Sequence, residues 1–300
     1  MFSVVFPGQG SQTVGMSHDF YTKYDLFKKT FKEADEILNF KISKLILEGP
    51  KEDLDKTENT QPAIFLVSYC IFNLLKEKNE EIFTNAKYFA GHSLGEYTAL
   101  TCSGSLDFSD TLKILKKRGN AMQSAVPNGT GGMLAILNST YETIYNILED
   151  NKNVFECYIA NDNSNSQIVV SGFLESIDKL SSHLKTLKIK NLRIPVSSPF
   201  HCKLMNKATK LMETEIKKLN FNDPKIPIVS NVTANTAQNS LDYSELMIKQ
   251  IEHRVRWRES IQFMAKNNVN KFIEIGPGKI LSNLIKRIDT NFETLNINSI

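Results

Sequence analysis

The sequence predicts an α/β fold: a mainly parallel sheet covered by helices, with a small β-α-β-β-α-β unit inserted near the middle of the chain. Three observations carry that expectation. Strand-like and helix-like apolar patterns alternate from the first residues onward. A Pro/Gly-rich connection at Val126–Gly132 then marks a change in the order of elements. The length, 300 residues, suits one large α/β domain or a domain carrying a smaller insert.

Taken in order, Ser3–Phe6 is rich in β-branched and aromatic residues and reads as a strand, and Pro7–Gln12 as a glycine-rich turn. Tyr24–Leu38 has apolar residues at helical spacing, and Pro62–Leu75 is a strongly apolar helix. Lys87–Ala90 is a short strand that runs into Gly91–Gly95, with a helix following through Leu100. After the connection come a strand (Met133–Leu137), a helix (Tyr141–Asp150) and a strand (Val154–Ala160). A polar turn (Asn161–Ser166) leads to a strand (Gln167–Val170), a helix (Leu174–Leu187) and a strand (Ile189–Val196). That order is the ferredoxin-like split motif, so residues 127–196 are expected to form an inserted domain within a larger one made of residues 1–126 and 197–300. The larger domain resumes with a helix at Lys203–Leu219, a strand at Ile226–Ser230, a helix at Trp257–Lys266 and a strand at Lys271–Ile275.

The composition narrows the function classes. Apolar and charged fractions of 41% and 23% are those of an ordinary globular protein, and a net charge of +3 is too small to imply a nucleic-acid surface. No apolar run approaches the ~18–20 residues that span a bilayer, so no membrane partner is expected. Met1 leads directly into a strand-like run without a basic region or cleavage site, which predicts a cytoplasmic protein. The four cysteines are scattered, with no CxxC or Cys/His spacing, and are expected to be reduced thiols; no metal is implied. Only six of the 36 basic residues are arginines, which makes each arginine slightly more interesting, because a fork-shaped cation is what lysine cannot imitate.

Gly91-His92-Ser93-Leu94-Gly95 is the strongest chemical signal. It fits G-x-S-x-G and lies where that pattern must lie, between a strand and a helix. The glycines relieve crowding at a sharp turn, Ser93 is projected above the sheet edge, and the next helix aims its N-terminal N–H groups at the same spot. A neutral serine hydroxyl needs a base. Of the five histidines (His18, His92, His183, His201 and His253), His92 adjoins the serine on a tight elbow, and His18 and His183 lie in polar helix-like stretches. His201 follows a strand through Ser197-Ser198-Pro199-Phe200, in the kind of loop where open α/β sheets gather ligands, and is the candidate base. Pro7–Gln12 is not a phosphate loop: it lacks Gly-Lys-Ser/Thr, and Thr13 stands where the dinucleotide pattern needs glycine. It is either a loop whose N–H groups stabilise an oxyanion or a plain glycine turn.

Together the segments FPGQGSQ (Phe6–Gln12), TQPAI (Thr60–Ile64), GHSLGEYTAL (Gly91–Leu100), Arg118–Met122, VPNGTGGM (Val126–Met133), SSPFHC (Ser197–Cys202), SNVTA (Ser230–Ala234) and EIGPGKIL (Glu274–Leu281) resemble the malonyl-CoA:acyl carrier protein transacylases of bacterial fatty-acid synthesis. They stand in family order from residue 2 to about residue 288, so the resemblance covers nearly the whole chain. It implies a hydrolase-like α/β core with a ferredoxin-like insert. It also implies malonyl transfer from malonyl-CoA to acyl carrier protein through a malonyl ester on Ser93, with no cofactor and a monomeric enzyme. His201 would be the general base; Gln9 and Leu94 would offer backbone N–H groups to the oxyanion; Arg118 would grip the malonyl carboxylate; the backbone carbonyl of Gln250 would orient the histidine. Phe200, before the histidine, resembles the residue that accompanies malonyl rather than methylmalonyl in related domains. Lys113, Lys116 and Lys117 form either a solvated basic face or a landing site for an acidic carrier. A serine esterase or thioesterase would share the elbow but place an acid and a late histidine after it; no single acid stands out here.

Overall fold

The computed structural model describes residues 1–78, 81–196, 198–237 and 239–299. Its strands are β1 (Phe2–Phe6), β2 (Phe89–Gly91), β3 (Gly131–Leu137), β4 (Cys157–Ser164), β5 (Gln167–Phe173), β6 (Asn191–Ile194), β7 (Ile228–Val229), β8 (Lys271–Ile275) and β9 (Glu293–Ile297). They make two sheets. One is wholly parallel, in the order β7-β2-β1-β8-β9; the other is antiparallel, in the order β4-β5-β3-β6. The expected fold class is the one observed.

The parallel sheet is covered on both faces, and its central strands are accordingly apolar on successive residues: Val4, Val5 and Phe6 are all fully buried. β1 pairs with β2 at Val4–Phe89 and Phe6–Gly91, and with β8 at Val4–Ile273. This register sets the loops that follow β1, β2, β7 and β8 side by side at the carboxyl edge of the sheet, where open α/β sheets hold their ligands. One face is packed by the 22-residue helix Thr57–Lys78, buried along most of its length, and by Phe108–Gln123 beside it. The helix starts at Thr57 rather than at Pro62, which lies inside it and forgoes the helical hydrogen bond to the Glu58 carbonyl. Among the described residues no helix is long and apolar enough to cross a membrane.

The antiparallel sheet, drawn from residues 131–194, has the split βαβ connectivity. Its strands alternate with period two: Leu134, Ile136, Ile168 and Val170 join Ile144, Ile177, Leu180 and Leu184 in a core of their own. The opposite face, with Met133 and Val169, turns to the larger core. Ser197 and Ile300, at the ends of predicted segments, lie outside the described residues.

Two expectations are corrected. The segment predicted as a polar turn at Asn161–Ser166 is largely strand: β4 runs from Cys157 through Ser164, and only Asn165 and Ser166 turn. Distant groups satisfy much of its buried polarity, above all that of Asp162, which accepts three hydrogen bonds of 2.8–3.1 Å from the Arg258 guanidinium. The Asp162 N–H also donates to the Val255 carbonyl, which fastens β4 to the larger unit. Second, β9 had no sequence signal; it is an edge strand with mostly half-exposed residues and so lacks the apolar run of its neighbours.

Candidate active site

Ser93 sits between β2 and the helix Leu94–Cys102 with φ 54° and ψ −110°, a strained conformation for a non-glycine residue. The flanking glycines make it attainable. A Cβ on Gly91 would come within 1.9 Å of the Gly95 carbonyl, and one on Gly95 within 2.3 Å of the Phe6 carbonyl oxygen. The elbow therefore rests directly on the end of β1. His201 is also in the left-handed region, at φ 57°, in a loop whose preceding residue is pinned by the Ser171 hydroxyl donating 2.6 Å to the Phe200 carbonyl.

The structure brings Ser93, His201, Arg118 and Gln250 together. Ser93 Oγ lies 2.8 Å from His201 Nε2, and His201 Nδ1 lies 2.9 Å from the Gln250 carbonyl oxygen. A carbonyl only accepts, so Nδ1 carries the proton and Nε2 is left to receive the serine proton. Burial, and after it the charge of Arg118, push the His201 imidazole down to about 3, so it is neutral at ordinary pH. Arg118 is 1% exposed, and its pKa is lowered by the same burial. Its guanidinium donates to Gln61 Oε1 at 2.7 Å, to Gln250 Oε1 at 2.8 Å and to Ser93 Oγ at 3.2 Å. No carboxylate pairs with it among the described ion pairs. A buried cation beside the serine hydroxyl, held by neutral amides, is an electrostatic receptor for an anionic substrate group.

Ser93, His201 and Arg118 line a cleft of about 540 Å³ between the two sheets, with Gln250 buried behind it. Gln9 and Leu94 line it, as do Phe200, Met133, Val169, Asn161 and Asn163. Leu94 opens its helix, so its N–H has no acceptor one turn earlier. The Gln9 side chain turns away to Thr57 Oγ1 at 3.4 Å. The remaining histidines are elsewhere in role or place. His92 points across the cleft to Asn163 Oδ1 at 2.9 Å, His18 and His253 are exposed, and His183 is half-buried against Phe155 rather than solvated. On the basic face, Lys117 pairs with Glu215, and Lys116 donates to Asn59 Oδ1 at 2.6 Å.

Sequence reasoning missed the supports beneath the serine. Asn231 Oδ1 accepts from the Ser93 N–H at 2.7 Å, while its amide donates 2.7 Å to the Gly91 carbonyl. Gln250 contributes its side chain as well as its carbonyl: Nε2 donates to the Ser93 carbonyl at 3.0 Å and to Glu96 Oε2 at 2.7 Å. Glu96, fully buried, also accepts from the Asn231 N–H at 3.1 Å. The one available signal for Glu96 was a charged residue in the first turn of an otherwise apolar helix.

A strained serine on an elbow, a neutral histidine against it and a buried arginine at the floor of one cleft define a serine acyl-transfer enzyme. The chain belongs to the acyl transferase domain family, whose model matches residues 3–295. Among its relatives is the malonyl CoA-acyl carrier protein transacylase of Haemophilus influenzae, 37% identical over 300 residues, covering 100% of this chain and 96% of that protein. The protein of the same name from Escherichia coli strain K12 is 38% identical over 288 residues, covering 96% of this chain and 92% of that protein. The crystal structure of an acyl carrier protein S-malonyltransferase from Vibrio cholerae superposes with a TM-score of 0.95 at 38% identity, covering 100% of this chain and 97% of that one. A type II polyketide malonyl-transacylase in complex with its acyl-carrier protein superposes with a TM-score of 0.95 at 35% identity, covering 100% and 96% of the two chains.

Proposed function

We propose that this chain transfers the malonyl group from malonyl-CoA to the phosphopantetheine thiol of acyl carrier protein through a malonyl ester on Ser93, supplying fatty-acid chain elongation. The observation that carries this reading is the buried Arg118 guanidinium 3.2 Å from the nucleophile, a cation where the free carboxylate of a malonyl thioester would lie. As Ser93 Oγ attacks the thioester carbonyl, its proton passes to His201 Nε2. The Gln9 and Leu94 N–H groups face the oxyanion that forms. The C–S bond then breaks, and the departing thiolate takes the proton from His201. The carrier thiol reverses these steps, so both halves balance without a further co-reactant, and no cofactor enters.

One chain supplies Ser93, His201 and Arg118 together, so the proposed reaction needs no residue from a second copy, and we propose a monomer. In this reading residues 1–126 and 197–300 form the catalytic body, and residues 127–196 supply the facing wall through Met133, Asn161, Asn163 and Val169. Four free cysteines fit a reducing compartment, and we place the enzyme in the cytoplasm. Intact mass after mixing with malonyl-CoA tests the chemistry. A malonyl adduct is expected on the wild type, absent in Ser93→Ala and discharged by holo acyl carrier protein. An adduct that persists at normal rate in Ser93→Ala sinks the mechanism.

A further inference from the structure

We propose that Glu96 is a positioning residue that sets malonyl selectivity by fixing which way the Gln250 side-chain amide faces. The inference deepens the malonyl-transfer reading and rests on it.

Glu96 touches no reacting atom. It lies behind the elbow, fully buried, with Oε2 receiving Gln250 Nε2 at 2.7 Å and the Asn231 N–H at 3.1 Å. The far end of the same Gln250 amide, Oε1, receives Arg118 Nη2 at 2.8 Å. A carboxylate can only accept and a guanidinium can only donate, so the two ends of this amide have one compatible orientation between them. Anion, amide and cation form a buried relay in which each hydrogen bond polarises the next. The same residue carries the carbonyl that holds His201 Nδ1 at 2.9 Å, and its Nε2 also reaches the Ser93 carbonyl at 3.0 Å. A Gln250 amide turned the other way would present NH2 to the guanidinium, donor against donor, and displace Arg118 from the place where a substrate carboxylate must meet it.

An amide at position 96 removes the constraint, since it can donate as readily as accept. The test compares kcat/KM for malonyl-CoA and acetyl-CoA at pH 8. At that pH the Glu96 carboxyl, which burial raises to about 7 and the donors and Arg118 partly restrain, is ionised. Glu96→Gln should lower the malonyl value roughly 10- to 100-fold, the scale of one lost charge-assisted hydrogen bond, and the acetyl value far less. A purely structural lesion would lower both alike. In a Gln250→Met background, where no amide remains to turn, Glu96→Gln should leave the malonyl:acetyl ratio unchanged. Should Glu96→Gln fail to fold, Gln250→Met alone must reproduce the loss of selectivity. An unchanged ratio in Glu96→Gln, full selectivity in Gln250→Met, or an undiminished Glu96→Gln effect in the Gln250→Met background would overturn the inference. A wild type that shows no preference for malonyl would instead bring down the reading beneath it.

Discussion

The two walls of the cleft are built by different physics. The wall at the carboxyl edge of the parallel sheet is a dense hydrogen-bond network around a strained serine, with a buried cation and a buried acid within it. The wall contributed by β3, β4 and β5 presents neutral amides and apolar side chains, among them Asn161, Asn163, Met133 and Val169, with Phe200 at its margin. The difference teaches where each kind of substitution must act. Changes in the first wall remove groups that meet charge, whether developing in the reaction or carried by the substrate, and should appear as lost rate with a malonyl thioester. Changes at the second alter shape and should appear as altered preference.

The sharpest way to break the comparison is at the base. His201→Ala should slow acylation of Ser93 by about 10²–10⁴-fold, the usual contribution of a positioned general base, read as single-turnover formation of the malonyl adduct. A loss under threefold would remove His201 from that role. Because the imidazole stays neutral down to about 3, wild-type acylation by acetyl-CoA, which does not call on the Glu96 relay, should also lack an acid limb near the ordinary histidine value. A titration near 6.5 would contradict the buried geometry.

Arg118→Ala should come next. Removing one partner of a buried charge pair costs about 2–5 kcal/mol, or roughly 30- to several-thousand-fold in kcat/KM for malonyl-CoA. Acetyl-CoA, without a carboxylate, should lose far less, and Arg118→Lys should recover only part because a point charge cannot reproduce the paired fork. A malonyl:acetyl ratio that stays constant across these variants rules out the carboxylate clamp.

The smallest effect belongs to the shape-selecting wall. Phe200→Ser should shift use toward methylmalonyl-CoA by opening space near the α-carbon. A single methyl is worth only ~1–3 kcal/mol in a pocket, so the change should be partial. Competition between the two thioesters measures it, and no shift would take Phe200 out of the acyl pocket.

Much of the first wall could be read in the sequence because its constraints are local. The crowding that demands Gly91 comes from Gly95, four residues on, and although Gly95 is itself demanded by the distant Phe6 carbonyl, the pair leaves a strand–glycine–serine–glycine–helix pattern. β4 was misread for the opposite reason. Asn161-Asp162-Asn163-Ser164 looks like a turn until Arg258, Val255 and His92 arrive from far along the chain to satisfy it. The same holds for Asn231, Glu96 and the Gln250 side chain. Their burial is worthwhile only once the three meet, and no spacing along the chain announces that meeting.

The low proton affinity of His201 also reaches beyond the reaction to the fold itself. An unfolded histidine charges near 6.5, whereas this one resists until about 3. Between those values the unfolded chain holds the extra proton, so this site draws the protein toward unfolding as acid is added. Glu96 runs the other way. Its folded carboxyl keeps a proton up to about 7 against an ordinary 4.5, so its contribution is lost as pH rises through that interval. From about 4.5 to 6.5 the two proton inventories oppose each other, so the acid penalty from His201 shows most clearly below about 4.5. Urea midpoints should therefore fall more steeply for the wild type than for His201→Ala across that acid window. The residue that makes the serine reactive thus also adds to the acid sensitivity of the fold.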